Sequence, residues 1–406
     1  MRVLLSTIGT RGDVQPLVAL ALELRDLGQQ VHLCAPPDFR AWIDGLALPV
    51  TPIGPPLRTG SRSQAAPSPP SPQQLRQLAR DSVTAQFETV AAAAKGCDVI
   101  VAATALQVAA RSVAELMDIP YVFAAYCPAV LPSAHHAPPV SPVPGPPTTD
   151  NGQLWARDAA LFNGAFGDAL NAHRTSVGLD PVDDVRGHIF TDRPWLAADQ
   201  ALAPWPEPTA GEVVQTGAWM PPDRPALPAE LVAFLEAGEP PVYFGFGSSA
   251  GAPEGVTQAM IESARAHGRR VIVSRGWAGL SPDEDAPDCL SIGDVNHQAL
   301  FTQVAAVVHH GGAGTTTTAA RAGAPQVIIP QAYDQYYWAQ RVDRLGIGTE
   351  HPQVTPTAGS LATALDRVLR ADVAARARAV AATVRTDGAR VAARRLMAGG
   401  GSTGHP

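Results

Sequence analysis

Short apolar runs alternate along the chain with stretches whose apolar residues recur every three to four positions. That alternation predicts parallel strands joined by crossover helices. In the first half the runs are Arg2 to Thr7, Val31 to Cys34, Val99 to Ala102 and Tyr121 to Ala125. A second set starts at Val242 to Gly247 and continues through Val271 to Ser274, Leu290 to Ile292, Val304 to His309 and Gln326 to Ile329. Two such sets predict an α/β protein with two Rossmann-like, doubly wound domains. The proline-rich stretch Trp219 to Pro228 suits a linker, which leaves residues 1–218 and 229–380 as the expected domains. Asp372 to Met397 reads as alanine- and arginine-rich helix interrupted near Thr386-Asp387-Gly388, followed by a frayed tail. Gly54 to Pro72 and Pro128 to Pro147 are too rich in proline for regular structure and read as long loops.

The strand ending at Val307-Val308-His309 runs into His310-Gly311-Gly312-Ala313-Gly314-Thr315-Thr316, a glycine-rich turn that opens a helix. Glycines let the backbone approach a ligand closely, and the first helical N–H groups and the helix dipole favour negative charge. The turn therefore predicts an anion site fit for a diphosphate, with His310, Gly311, Gly312, Gly314 and Thr315 as its residues; a plain capped turn is the alternative. Twenty-four positions after His310, just beyond the next strand, stand Asp334 and Gln335, placed to hold sugar hydroxyls.

With these residues the chain resembles the nucleotide-sugar glycosyltransferases of the GT-B fold, whose signature joins His-Gly-Gly to a later Asp/Glu-Gln at that spacing. The N-terminus extends the resemblance. Ile8-Gly9-Thr10-Arg11-Gly12-Asp13-Val14-Gln15-Pro16 reads as a loop between the first strand and a helix from Leu17 to Leu27. Many relatives carry a histidine general base where this chain has Asp13. Aspartate there is the pattern of bacterial antibiotic glycosyltransferases, notably those acting on vancomycin-type peptides, and of sterol glucosyltransferases. Val214 to Trp219 and Ser274-Arg275-Gly276-Trp277 add to the vancomycin-group likeness.

The resemblance implies two domains facing across a cleft, with the last helix (residues 381–406 with the tail) returning to the N-terminal domain. It also implies an inverting, metal-independent transfer. Asp13 would take the proton of the acceptor hydroxyl, and His310 with the helix N-terminus would stabilise the departing phosphate. A free aspartate, with a pKa near ~3.9, is a weak base at neutral pH, a mismatch that a phenolic acceptor reduces. Capping of the following helix is the other reading of Asp13. Relatives also imply phosphate contacts from Ser248 and His297. Arg275 and Trp277 either touch the base or phosphates or pack the sheet edge, and Thr10 and Arg11 are weaker acceptor-side candidates. Thr318 stands where eukaryotic UDP-sugar enzymes carry a ribose-binding glutamate, which favours dTDP-sugars over UDP-sugars. Both proline-rich loops would face the acceptor. His135 and His136 receive no role, and Trp155, Phe162 and Phe166 read as core or as acceptor wall.

Composition narrows the function classes. The 406 residues are 46% hydrophobic, enough for two folded cores. A net charge of −7, with Lys95 the single lysine, argues against a nucleic-acid partner and excludes a Gly-Lys-Ser/Thr phosphate loop. Cys34, Cys97, Cys127 and Cys289 form no Cys-x-x-Cys pair, so no metal or redox role is expected. No signal peptide or long apolar span is visible, and a cytoplasmic monomer or weak homodimer without cofactor is expected. The expected partners are a nucleotide-sugar donor and a natural-product acceptor, first a glycopeptide-type or aromatic aglycone, then a sterol or macrolide. A catalytically silent sugar-nucleotide binder and an epimerase of the same fold are the rival readings.

Overall fold

The computed structural model describes residues 1–58, 71–139, 148–206, 213–222, 226–247, 255–277, 279–280 and 286–399. The chain divides into two compact units. The first comprises Met1–Ala198, Pro204–Pro221 and Thr386–Pro406, and the second Asp199–Ala203 and Pro222–Arg385.

In the first unit, strands β1 (Arg2–Thr7), β2 (Gln30–Ala35), β3 (Val50–Pro52), β4 (Val99–Ala103), β5 (Tyr121–Ala125), β6 (Trp195–Leu196) and β7 (Val214–Gln215) form one parallel sheet. Its order is β3-β2-β1-β4-β5-β6-β7. The near-continuous burial of β1 and β4 is what a parallel sheet covered on both faces demands. The long helices Pro72–Ala93 and Asn151–Ser176, absent from the sequence reading, lie against each other, and Gly388–Gly399 packs on Arg11–Asp26. Arg390 bonds Glu23 across that last contact at 2.8 Å.

The second unit holds β8 (Val242–Gly245), β9 (Val271–Ser274), β10 (Cys289–Ile292), β11 (Ala306–His309), β12 (Gln326–Ile328) and β13 (Gly348–Glu350) in the parallel order β10-β9-β8-β11-β12-β13. Successive residues enter opposite cores: Val242 and Phe244 pack with Met260 and Leu365, whereas Tyr243 joins Phe301 and Leu300. Each large apolar side chain so buried is worth about 1.5–3 kcal/mol.

Both sheets reverse their strand order once, at β1/β4 and at β8/β11. Ligands of open α/β sheets bind outside the carboxyl ends of strands at such a reversal. The two stretches singled out in the sequence, residues 8–16 and 310–316, follow β1 and β11.

The structure departs from the sequence pattern at several element ends. The first helix begins at Arg11, not Leu17, so Asp13 lies in its first turn. Pro72 opens a helix capped by Ser71 instead of closing a loop. Pro128–Val130 is a short 3-10 turn inside the second proline-rich stretch. Residues 59–70 and 140–147 of the two loops, 223–225 of the connector and 400–406 of the tail lie outside the described residues.

Candidate active site

In the second unit the chain leaves β11 at His309 and turns at Gly311, whose φ of +93° belongs to the left-handed region. A Cβ on Gly311 would lie 2.6 Å from Ile328 Cγ2 and 3.2 Å from the Gln335 carbonyl oxygen, so both backbone and space require glycine. That tight approach puts the turn beside the start of the helix Gln335–Leu345 and unites the two halves of the signature. The helix Ala313–Arg321 follows with Gly312 as its N-cap, which makes no side-chain cap hydrogen bond.

A buried polar pair braces the turn. His309 Nδ1 accepts from the Gly311 N–H at 3.1 Å, and its Nε2 meets Gln326 Oε1 at 2.9 Å. These bonds require a neutral ring with the proton on Nε2. Burial lowers the His309 pKa to about 3 and that of His310 to about 4, so both rings are uncharged at neutral pH. His310 Nδ1 is buried and has no hydrogen-bond partner among the described residues. A buried donor or acceptor left in that state favours a ligand that pairs with it.

Asp334 Oδ2 accepts from Trp338 Nε1 at 3.1 Å. Burial raises its pKa to about 6, leaving the carboxylate mostly ionised at neutral pH and able to accept from hydroxyls. Gln335 uses Oε1 on the N–H groups of Gln331 and Ala332, at 2.7 and 3.2 Å, which leaves its amide N–H groups as donors. His297 stands at the start of the short helix His297–Leu300 and meets the Tyr243 hydroxyl at 3.1 Å.

Other candidates fare differently. Thr318 donates its hydroxyl to the Gly314 carbonyl at 2.8 Å and is 6% exposed, so its proton is spent inside its own helix. Arg275 is exposed and reaches Ser291 on the adjacent strand at 3.3–3.4 Å, the sheet-edge alternative. The Trp277 N–H bonds the Gly247 carbonyl at 2.9 Å. Ser248 lies outside the described residues.

In the first unit, Asp13 Oδ2 accepts from the Thr10 N–H at 2.6 Å and the Thr10 hydroxyl at 3.2 Å. This is a capping box, with Asp13 at the third helical position. Capping and catalysis need not compete, since a carboxylate carries about four acceptor sites. Beneath it, the Tyr126 hydroxyl donates to the Asp13 carbonyl at 3.0 Å, and Thr104 bonds the Ile8 carbonyl at 3.0 Å. The Arg11 guanidinium lies 4.6 Å from the Trp42 ring centroid, and Thr10 is exposed. Trp155 is buried, donates to the His136 carbonyl at 2.9 Å and carries Arg186 on its ring; it is core, while Phe162 and Phe166 are half-buried. Among the described residues no group of three or more His, Cys, Asp or Glu could hold a metal ion, and no helix is long and apolar enough to cross a membrane.

Comparison with known proteins decides the family. Residues 3–135 match the glycosyltransferase family 28 N-terminal domain, and residues 252–393 match the erythromycin biosynthesis protein CIII-like C-terminal domain. Over 402 residues the chain is 48% identical to the vancomycin aglycone glucosyltransferase of Amycolatopsis orientalis, covering 98% of this chain and 97% of that protein. The chain belongs to this glycosyltransferase family. It is also 42% identical to the dTDP-epi-vancosaminyltransferase of the same organism, over 94% of this chain and 93% of the relative. The fold agrees with that of a solved glycosyltransferase of kitacinnamycin, with a TM-score of 0.72 at 19% identity over 98% of each chain. This glycosyltransferase thus has the two parallel-sheet α/β domains of the GT-B enzymes.

Sequence reasoning missed the residues that brace the site. Gln326 acts across the pairing of β11 and β12, and Tyr243 and Tyr126 reach residues 54 and 113 positions away, contacts that one sequence does not display. Trp338 was findable, because a residue four positions after Asp334 shares its helix face.

Proposed function

We propose that this glycosyltransferase moves a sugar from a dTDP- or UDP-sugar to a hydroxyl of a glycopeptide-type aglycone, with inversion and without a metal. The braced glycine turn beside Asp334 and Gln335 carries the donor half of this reading. The vancomycin aglycone glucosyltransferase, 48% identical, supports the acceptor class, and the dTDP-epi-vancosaminyltransferase, 42% identical, is a second relative. The second relative's name includes dTDP, which favours that base.

The acceptor oxygen attacks the anomeric carbon as the bond to the diphosphate oxygen breaks, and the acceptor proton passes to the Asp13 carboxylate. The departing charge falls on the N–H groups of the turn 311–315, with His310 and His297 beside it, and Ser248 as a further contact. Asp334 and Gln335 offer an acceptor and donors to the sugar hydroxyls. Thr10 and Arg11 would border the acceptor. The reaction needs no cofactor beyond the co-substrate, and we place it in the cytoplasm.

The test is incubation of the purified chain with dTDP-glucose or UDP-glucose and vancomycin aglycone in EDTA, followed by mass spectrometry. A monoglycosylated aglycone is expected. Hydrolysis of the donor or its epimerisation, with no transfer to this or other polyphenolic acceptors, would reject the reading.

A further inference from the structure

The chain leaves β4 at Ala103 and turns at Thr104, whose φ of +75° lies in the left-handed region. A β-branched residue suits that conformation poorly, and such strain persists only where the surroundings hold it in place. Here the strand β1 and the residue after it hold both ends of the turn. The Thr104 hydroxyl donates to the Ile8 carbonyl at 3.0 Å, and Gln107, fully buried, accepts from the Ser6 hydroxyl at 2.7 Å. The Gln107 N–H closes the turn on the Thr104 carbonyl at 3.2 Å. Ile8 is buried, with its side chain seated against Gly54, where a Cβ would lie 3.2 Å from its Cγ2. The Asp13 carboxylate rests on the two residues that follow Ile8. A Cβ on Gly9 would overlap Asp13 Oδ2, so the carboxylate lies directly over the glycine backbone, and the Thr10 N–H meets the same oxygen at 2.6 Å.

We infer that Thr104 is a positioning residue for the transfer: its hydroxyl, through the Ile8 carbonyl, sets the place of the Gly9-Thr10 backbone on which the Asp13 carboxylate rests. A general base works only within hydrogen-bond reach of the proton it takes, about 2.6–3.2 Å, and a misplacement of about 1 Å can cost about 10²-fold in rate. Ile8 adjoins Gly9, so a shift of its peptide passes to the carboxylate with little chain between to absorb it. Without the hydroxyl the buried carbonyl loses a donor, and the strained turn loses one of the bonds that hold it. Glycine would suit the backbone at this position better, and the hydroxyl is what threonine adds. The bond runs within the first unit, so nucleotide binding by the second should not depend on it. This inference rests on the proposed role of Asp13 as the base.

The test uses the full chain with dTDP-glucose and vancomycin aglycone and compares Thr104→Val, Thr104→Ser and Thr104→Gly. Valine keeps the branched shape without the hydroxyl, serine keeps the hydroxyl, and glycine removes it while relieving the backbone. In Thr104→Val, kcat should fall about tenfold or more, with the donor KM and the dissociation constant for dTDP within about twofold of the wild type. Thr104→Ser should recover most of the rate. Thr104→Gly should be as slow as the valine variant yet melt close to the wild type, because relief of the left-handed strain offsets the freedom glycine adds to the unfolded chain. It carries the test if the valine variant does not fold. A folded Thr104→Val or Thr104→Gly with the wild-type kcat overturns the inference. So does a serine variant as slow as the valine one, or a parallel loss of dTDP affinity. Failure of the base reading looks different: Asp13→Asn would transfer at the wild-type rate, whatever the Thr104 variants show.

Discussion

The two units place their candidate chemistry at the same point of the same kind of sheet, outside the strand ends where the order reverses, yet they equip it differently. At the β1 end the first unit offers one carboxylate, Asp13, held by a capping box and resting on Tyr126. At the β11 end the second unit offers a glycine turn braced by His309 and Gln326, a carboxylate bonded to Trp338, and His297 in hydrogen-bond contact with Tyr243. A diphosphate presents many oxygens in fixed geometry and rewards many preset donors. Deprotonating one hydroxyl requires a single base. The scaffold is therefore the smaller part of the specialisation, and the buried residues behind each strand end are the larger.

If that division holds, the most damaging single change is Asp13→Asn. The amide oxygen still caps the helix, but the base is gone, and transfer should fall by about 10²–10⁴-fold while nucleotide affinity stays at the wild-type value. Steady-state kinetics with parallel calorimetry measures both. Gly311→Ala should injure the other unit instead. The φ of +93° and the 2.6 Å approach to Ile328 predict a loss of about 2–3 kcal/mol and of nucleotide binding, readable by chemical denaturation and titration.

Acid should expose what the units share. His309 and His310 in the second unit have pKa values of about 3 and 4, and His188 in the first has about 4, all lowered by burial from 6.5. Above 6.5 neither folded nor unfolded chain protonates these rings. As pH falls from 6.5 toward 4 the unfolded chain takes up protons that the folded one refuses, so stability declines across that window. Denaturation at stepped pH should show the decline, with His309→Gln reducing it for the second unit and His188→Gln for the first.

Smaller effects test the bracing. Trp338→Phe keeps the packing but removes the N–H on Asp334, and should lower kcat/KM by about tenfold. Thr318→Val, which deletes only a hydroxyl turned onto the Gly314 carbonyl, should change dTDP affinity by less than about twofold, since less than ~0.5 kcal/mol is at stake when no ligand contact is lost. A larger loss would return Thr318 to the donor site.

These contrasts follow what was legible in the sequence. The strands were, because buried parallel strands are short apolar runs. The signature was, because glycines and a polar pair sit at fixed offsets. The helix Asn151–Ser176 was not seen, since its apolar residues are diluted by Gly152, Gly164 and Gly167, and Pro72 hid the start of Pro72–Ala93 by reading as loop. Pro16 suggests a helix start and so a loop at Asp13, whereas the helix begins five residues earlier, at Arg11. The bracing residues are not legible because their partners are set by the fold: strand register places His309 beside Gly245 and Ile328, and nothing local to Tyr243 announces His297, 54 positions away.

The most direct test is calorimetric titration of the wild-type chain with dTDP and with UDP in EDTA. The account predicts saturable, metal-independent binding to at least one of them, lost in Gly311→Ala and kept in Asp13→Asn. No binding of either nucleotide by the folded chain would contradict it.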